Sequence, residues 1–172
     1  MRRIAMVATL VVLLVFSGMA FAFQNEPEGF RGLKWGDPPG EEMEFMADVD
    51  ELMKVYRSTS ENNRLGDARF YLMLYTFYIP PGASVKRFTG AALYFRSKEN
   101  FDILETVCKV KFGEPTEKGY LELGWMSLAT TVVLGYDSIE ETGYLTLGST
   151  PIFNQYTKEK ERQQAESAEE DW

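Results

Sequence analysis

Residues Phe88 to Pro115 read FTGAALYFRSKENFDILETVCKVKFGEP, a strand that runs directly into an amphipathic helix and then stops. Leu93 and Phe95 alternate with Ala92, Tyr94 and Arg96, as they would on a two-faced strand. Ser97 stands where an N-cap belongs, and Glu99 falls in the first turn, where a carboxylate suits the helix dipole. At helical pitch, Phe101, Ile103, Leu104, Val107, Cys108, Val110 and Phe112 fill a broad apolar arc. Asp102, Glu105, Thr106 and Lys109 fill the rest, with Glu105 and Lys109 four apart in the favourable acid-first order. Gly113 suits a left-handed C-terminal position, and Pro115 forbids continuation. Such an arc must lie in a concave sheet or between two layers. Each buried side chain contributes ~1.5–3 kcal/mol before entropy is charged.

The rest reads as sheet around that helix. Ala68 to Ile79 is the strongest strand, with Phe70, Leu72, Leu74, Thr76 and Tyr78 on one face and Tyr71, Met73, Tyr75, Phe77 and Ile79 on the other. Both faces are apolar, which predicts a central strand covered on two sides. Pro80-Pro81-Gly82 ends it, and a hairpin to a strand beginning near Val85 is the economical arrangement. Tyr120 to Leu128, Thr130 to Tyr136 and Tyr144 to Gly148 are joined by short loops and predict an antiparallel meander. Leu52 to Ser58 is a further strand. Glu41 to Asp50 reads as a short helix or irregular turn, since Met43, Met46, Val49 and Met53 fit a helical face. Thr150-Pro151 can open a last helix. From Thr157 the chain has helix formers but no apolar stripe, which predicts a solvated helix or disordered tail ending in Trp172. The expectation is an α+β fold: an antiparallel sheet of about six or seven strands, a main amphipathic helix at about 98–112, and a loose C-terminal helix.

The N-terminus reads as an address. Arg2 and Arg3 precede an apolar run from Ile4 to Phe16, followed by Ser17, Gly18 and Ala20-Phe21-Ala22. That is a basic region, a short apolar region and a small-x-small cleavage site, too short for a membrane span. Cleavage after Ala22 sends the chain to the periplasm or outside; the alternative is an uncleaved anchor. The expected organisation is a signal peptide at 1–22, one domain at 23–156 and a charged tail at 157–172. About 150 residues remain, enough for one sizeable core. The whole chain carries a net charge of −8, and loss of the two arginines makes it more acidic. This argues against nucleic acid and anionic membrane surfaces as partners.

The segment Phe30-Arg-Gly-Leu-Lys-Trp-Gly36 looks like a short strand closed by the turn Asp37-Pro38-Pro39-Gly40. A Phe-x-Gly-x-x-Trp-Gly opening just after a signal peptide resembles a set of small, uncharacterised exported bacterial proteins. The later pattern is also similar: a helix ending in Phe112-Gly113, then a strand carrying Trp125. The resemblance implies an α+β sheet protein and carries over no catalytic or ligand residues.

The sequence contains no histidine, which removes Ser-His-Asp and Cys-His catalysis and the usual His-bearing metal sites. Its one cysteine, Cys108, sits mid-arc and reads as a buried apolar residue rather than a reactive thiol. No Gly-rich phosphate loop is present. Asp37, Glu41, Glu42, Asp48, Asp50 and Glu51 form one acidic group, and Asp137, Glu140 and Glu141 another. Asp48-x-Asp50 lacks the rest of a calcium loop, so a solvated acidic face is expected, with no metal and no cofactor. The aromatic excess invites a functional reading. Tyr71, Tyr75, Phe77, Tyr94 and Trp125 lie on predicted strands and are the candidate partner surface, if one sheet face lacks a helix. The alternative is that they fill the second side of the sheet. The functional expectation is therefore a non-enzymatic envelope protein that binds a protein or small ligand. A carboxylate-dependent hydrolase of glycosidase type and an inhibitor of an exported enzyme are the alternatives. Intact-mass measurement of the exported protein is expected to place its first residue at Phe23; retention of Met1 to Ala22 would contradict the cleavage reading.

Overall fold

The computed structural model describes residues 22–59 and 62–170. The N-terminal address up to Phe21, Ser60 and Glu61, and Asp171 and Trp172 lie outside the described residues. The strands are β1 (Gly29–Phe30), β2 (Leu33–Lys34), β3 (Met43–Asp48), β4 (Met53–Ser58), β5 (Arg64–Leu65), β6 (Ala68–Arg69), β7 (Leu72–Tyr78) and β8 (Arg87–Arg96). Helix α1 (Lys98–Phe112) follows, then β9 (Glu117–Gly119), β10 (Glu122–Met126), β11 (Thr130–Asp137), β12 (Thr142–Ser149) and helix α2 (Thr150–Glu170). The fold is α+β.

Eight strands form one antiparallel sheet in the order β3-β4-β7-β8-β12-β11-β10-β9, and β1-β2 and β5-β6 are two-stranded ribbons. The expected six or seven strands become eight because both edges are additions: Met43–Asp48 is an edge strand rather than a helix or turn, and Glu117–Gly119 closes the other side, while the expected strand at Phe30–Gly36 forms the separate β1-β2 ribbon. The acids of Met43–Asp48 serve as cross-strand partners: Glu44 faces Arg57 at 2.7 Å and Asp48 faces Lys54 at 2.5 Å. The β7–β8 hairpin and the β10–β11–β12 meander form as expected.

The segment from Ser97 to Gly113 behaves as its residues demand. The Ser97 hydroxyl accepts a hydrogen bond from the Asn100 N–H, and the Gly113 N–H closes the helix on the Lys109 carbonyl with φ 79°. Glu105 and Lys109 pair at 2.7 Å. Phe101, Leu104, Cys108 and Phe112 are buried. They meet Leu93 and Phe95 of β8, Val132 and Leu134 of β11, and Trp125 of β10 in one core. The apolar arc is narrower than its sequence pattern, because Val110 is 76% exposed at the far side. Beside α1, Phe23 meets the Phe112 ring edge-on, and Trp35 stacks on Phe88 at 5.1 Å. Trp125 donates its indole N–H to the Gly113 carbonyl, tying β10 to the end of α1.

The stretch Ala68 to Ile79 is not one strand. A bend at Phe70 and Tyr71 separates β6 from β7 and turns Phe70 into the core while Tyr71 stays half exposed. The expectation of two covered faces holds only at one end: Met73, Tyr75 and Phe77 are buried on one face, and on the other Tyr78 is buried beneath α2 whereas Leu72, Leu74 and Thr76 are not. The strand predicted from Tyr120 begins at Glu122, and Tyr120 is a 91%-exposed turn residue.

Helix α2 runs without a break through Thr157. Its first turns bury Ile152 and Tyr156 against Leu52, Met53 and Tyr78. Asp50 pins the next turn: it accepts the Leu52 and Met53 N–H groups on one oxygen, and the Tyr156 hydroxyl at 2.7 Å and the Lys160 ammonium at 2.9 Å on the other. Partial burial pushes this carboxyl up, but the Lys160, Tyr156 and Leu52 hydrogen bonds outweigh it and hold Asp50 below its ordinary value. The stabilisation is therefore complete above the ordinary carboxylate range and is lost as pH falls through the depressed value. Asp50→Asn is expected to raise amide exchange across residues 156–166 several-fold at neutral pH, and to make little difference in acid where wild-type Asp50 is protonated. Equal exchange in the two proteins at neutral pH would show that Asp50 does not hold the helix.

Candidate functional site: the open face of the sheet

Cross-strand partners in an antiparallel sheet share a face, so the register defines what α1 leaves uncovered. Leu72, Tyr94, Tyr144, Gly135 and Glu122 make one row across β7, β8, β12, β11 and β10. Leu74, Ala92, Thr146, Val133 and Gly124 make the second. Thr76, Gly90, Gly148, Thr131 and Met126 make the third, which Val55 of β4 and Ala47 of β3 extend toward the edge. The intervening residues, among them Leu93, Phe95, Leu145 and Leu147, point into the core.

The third row and its neighbours are small. Gly90, Gly148, Ala92, Thr76, Thr131 and Thr146 floor a groove of about 550 Å³, with Met126, Phe153 and Asn154 also in its wall. That volume lies in the range of small-molecule sites, roughly 300–1,000 Å³. Helix α2 flanks the groove at one end, where its Phe153 is 53% exposed. Gly90 faces Gly148 for a steric reason: a Cβ at Gly90 would lie 2.7 Å from the Leu147 carbonyl oxygen. At the other end, the Tyr144 ring lies flat over Gly135, where a Cβ would come within 2.4 Å of it, and its hydroxyl donates to Glu122 at 2.7 Å. The bond to Glu122, helped by partial burial, pushes the Tyr144 phenol up to about 12.

A second hollow of about 370 Å³ opens beside Tyr71 and Leu72, lined also by Arg57, Ser58, Thr59 and Asn63. Arg96 stacks over the Tyr71 ring with its guanidinium carbon 5.3 Å from the centroid, and the Tyr94 ring lies 6.4 Å from that of Tyr71. Arg57 commits Nε and Nη2 to one oxygen of Glu44.

The five candidate aromatics separate by face. Tyr71 and Tyr94 stand on the open face, Tyr71 52% exposed and Tyr94 half-buried. Tyr75, Phe77 and Trp125 are 0% exposed and cannot touch a partner; they belong to the core beneath α1 and the N-terminal hairpin. The groove residues Gly90, Ala92, Thr146 and Gly148 were not candidates from sequence. Their one signal was the run of small residues Gly90-Ala91-Ala92 on a strand otherwise large from Leu93 onward. The acids do not converge: Glu44, Asp48, Asp50 and Glu122 are each held by a different partner. No metal-holding group of three or more Cys, Asp or Glu occurs among the described residues. Burial pushes the Cys108 thiol up to about 12, against the opposing charge of Lys111, so it is no nucleophile at neutral pH. No helix among the described residues is long and apolar enough to cross a membrane.

The chain matches no known protein-family model, no curated protein and no solved structure. Glu122→Gln is expected to return the Tyr144 phenol toward the ordinary tyrosine range, read by alkaline absorbance titration of the folded protein. An unchanged titration curve would show that Glu122 is not what holds the phenol up.

Proposed function

We propose that this chain is a non-enzymatic binding module of the cell envelope and that it binds through the groove on the open sheet face. The observation that carries this reading is the floor of Gly90, Ala92, Thr146 and Gly148, which keeps the uncovered face concave and apolar. Strands covered on both sides fill such positions with branched apolar residues; here they are left small, and α1 sits on the other side. Tyr71 and Tyr94 continue the surface beyond the groove with rings that bring both apolar area and hydroxyls.

The non-enzymatic part rests on chemistry. There is no imidazole in the chain, the one thiol is buried, and the acids bordering the open face are already paired. The envelope part rests on the basic, apolar and small-residue succession from Arg2 to Ala22, and on the resemblance of the Phe30–Gly36 opening to small exported bacterial proteins.

Nile red, a neutral apolar dye, tests the groove. It is expected to bind the native protein with a rise in fluorescence. Ala92→Phe, which places a ring on the groove floor, should weaken binding at least about tenfold while the melting temperature stays near that of wild type. An equal dye response in the two proteins, or none in the wild type, would defeat the reading.

A further inference from the structure

We infer that the groove takes a free single-chain amphiphile with an anionic head, its apolar chain over the Gly90–Gly148 floor and its head at Arg57 beside Tyr71. This rests on the preceding reading of the groove and names the class of ligand.

The first argument is charge. The chain as a whole is acidic, at −8, yet the β4 and β7 side of the open face carries two guanidinium groups against one acid: Arg57, paired with Glu44 in the hollow beside Tyr71, and Arg96 over the Tyr71 ring. Arg57 stands two residues beyond Val55, which pairs with Thr76, so it belongs to the same face. Both bonds to Glu44 use Nε and Nη2, so Nη1 stays outside that pair. The other side of the face ends in Glu122, an acid. An anion is thus attracted at one side and repelled at the other, and a bound molecule has one favoured orientation.

The second argument is shape. Leu72 lines the cationic hollow and Thr76 lines the apolar groove, and both lie on one face of β7 with Leu74 between them. Four residues of extended strand span about 13 Å, so a flexible chain reaches from Arg57 to the groove floor along a half-buried apolar track.

The test is calorimetric titration with dodecanoate below its micelle-forming concentration, beside dodecanol as the neutral control and phosphatidylglycerol vesicles as the membrane control. Dodecanoate is expected to bind about tenfold more tightly than dodecanol, as one charge-assisted hydrogen bond allows, and the vesicles are expected not to bind. Arg57→Gln should remove that preference and Arg57→Lys should restore part of it. Because Arg57→Gln also strands Glu44, Glu44→Gln is the complementary variant: freeing Arg57, it should tighten dodecanoate several-fold and leave dodecanol unchanged. Equal affinity for dodecanoate and dodecanol would overturn the anionic head and leave the groove standing. Binding of neither, with Nile red still bound, would overturn the acyl ligand; loss of all three would overturn the groove itself. Vesicle binding without binding of free dodecanoate would move the site to a membrane surface and overturn the inference.

Discussion

Helix α1 has one apolar face, and it can cover only one side of an eight-stranded sheet. Phe101, Leu104, Cys108 and Phe112 descend on the side where β8 presents Ala91, Leu93 and Phe95 and where β11 presents Val132 and Leu134. At roughly 1.5–3 kcal/mol for each large apolar side chain buried, this contact decides which side is the core. Apart from Met53 and Tyr78, which α2 covers, the opposite side must then be compatible with water. The chain meets that demand by shrinking the side chains there: the same strand that carries Leu93 and Phe95 inward carries Gly90, Ala92 and Tyr94 outward. The groove is a consequence of the packing direction of one helix.

Glycine does two different jobs in this sheet. At Gly135 and Gly143 it makes room for an aromatic ring from the neighbouring strand, Tyr144 on the open face and Phe95 in the core. The ring replaces the contact a missing side chain would have made, so these positions are filled. At Gly90 and Gly148 no ring arrives. The backbones of β8 and β12 approach closely, and the surface above them stays hollow. A void on an open face lacks the packing penalty of a buried cavity, since its lining was solvated to begin with. It does leave apolar surface in water that a ligand can cover with gain.

The helix and its strand were legible in the sequence because every local signal agreed: alternation to Phe95, the cap at Ser97, the arc through Phe112 and the stop at Gly113. The edge strand Met43–Asp48 was not, because Met43, Met46, Val49 and Met53 fit a helical face, while Glu44 and Asp48 serve either a solvated helix face or a cross-strand ion pair. Only the partner strand, with Arg57 and Lys54 in register, selects the second use. Three of the five aromatic candidates, Tyr75, Phe77 and Trp125, turn out to be core residues for a related reason. Alternation separates two faces but does not say which one the helix takes, and the bend at Phe70 and Tyr71 shifts the phase just where it matters. Tyr71 and Tyr75 therefore read as one set and lie on opposite sides. The groove residues carry no chemical signal of their own; they matter through what they omit.

The second helix shows why the groove stays open rather than collapsing. An apolar trough beside a helix with a free apolar stripe is normally covered by it, and α2 starts at its rim with Phe153 facing that way. Yet Ile152 and Tyr156 commit the helix to Leu52, Met53 and Tyr78, and Asp50 fixes the next turn through Tyr156 and Lys160. Beyond that point the residues are charged, with Arg162 bonded to Glu159 and Glu166 along the helix itself, so no further apolar stripe exists to swing over the sheet. The anchors draw α2 toward the β4 and β7 end and hold it at the rim. A helix held in this way becomes one wall of the trough, and the depth of the trough then depends on how rigidly Asp50 keeps that wall upright.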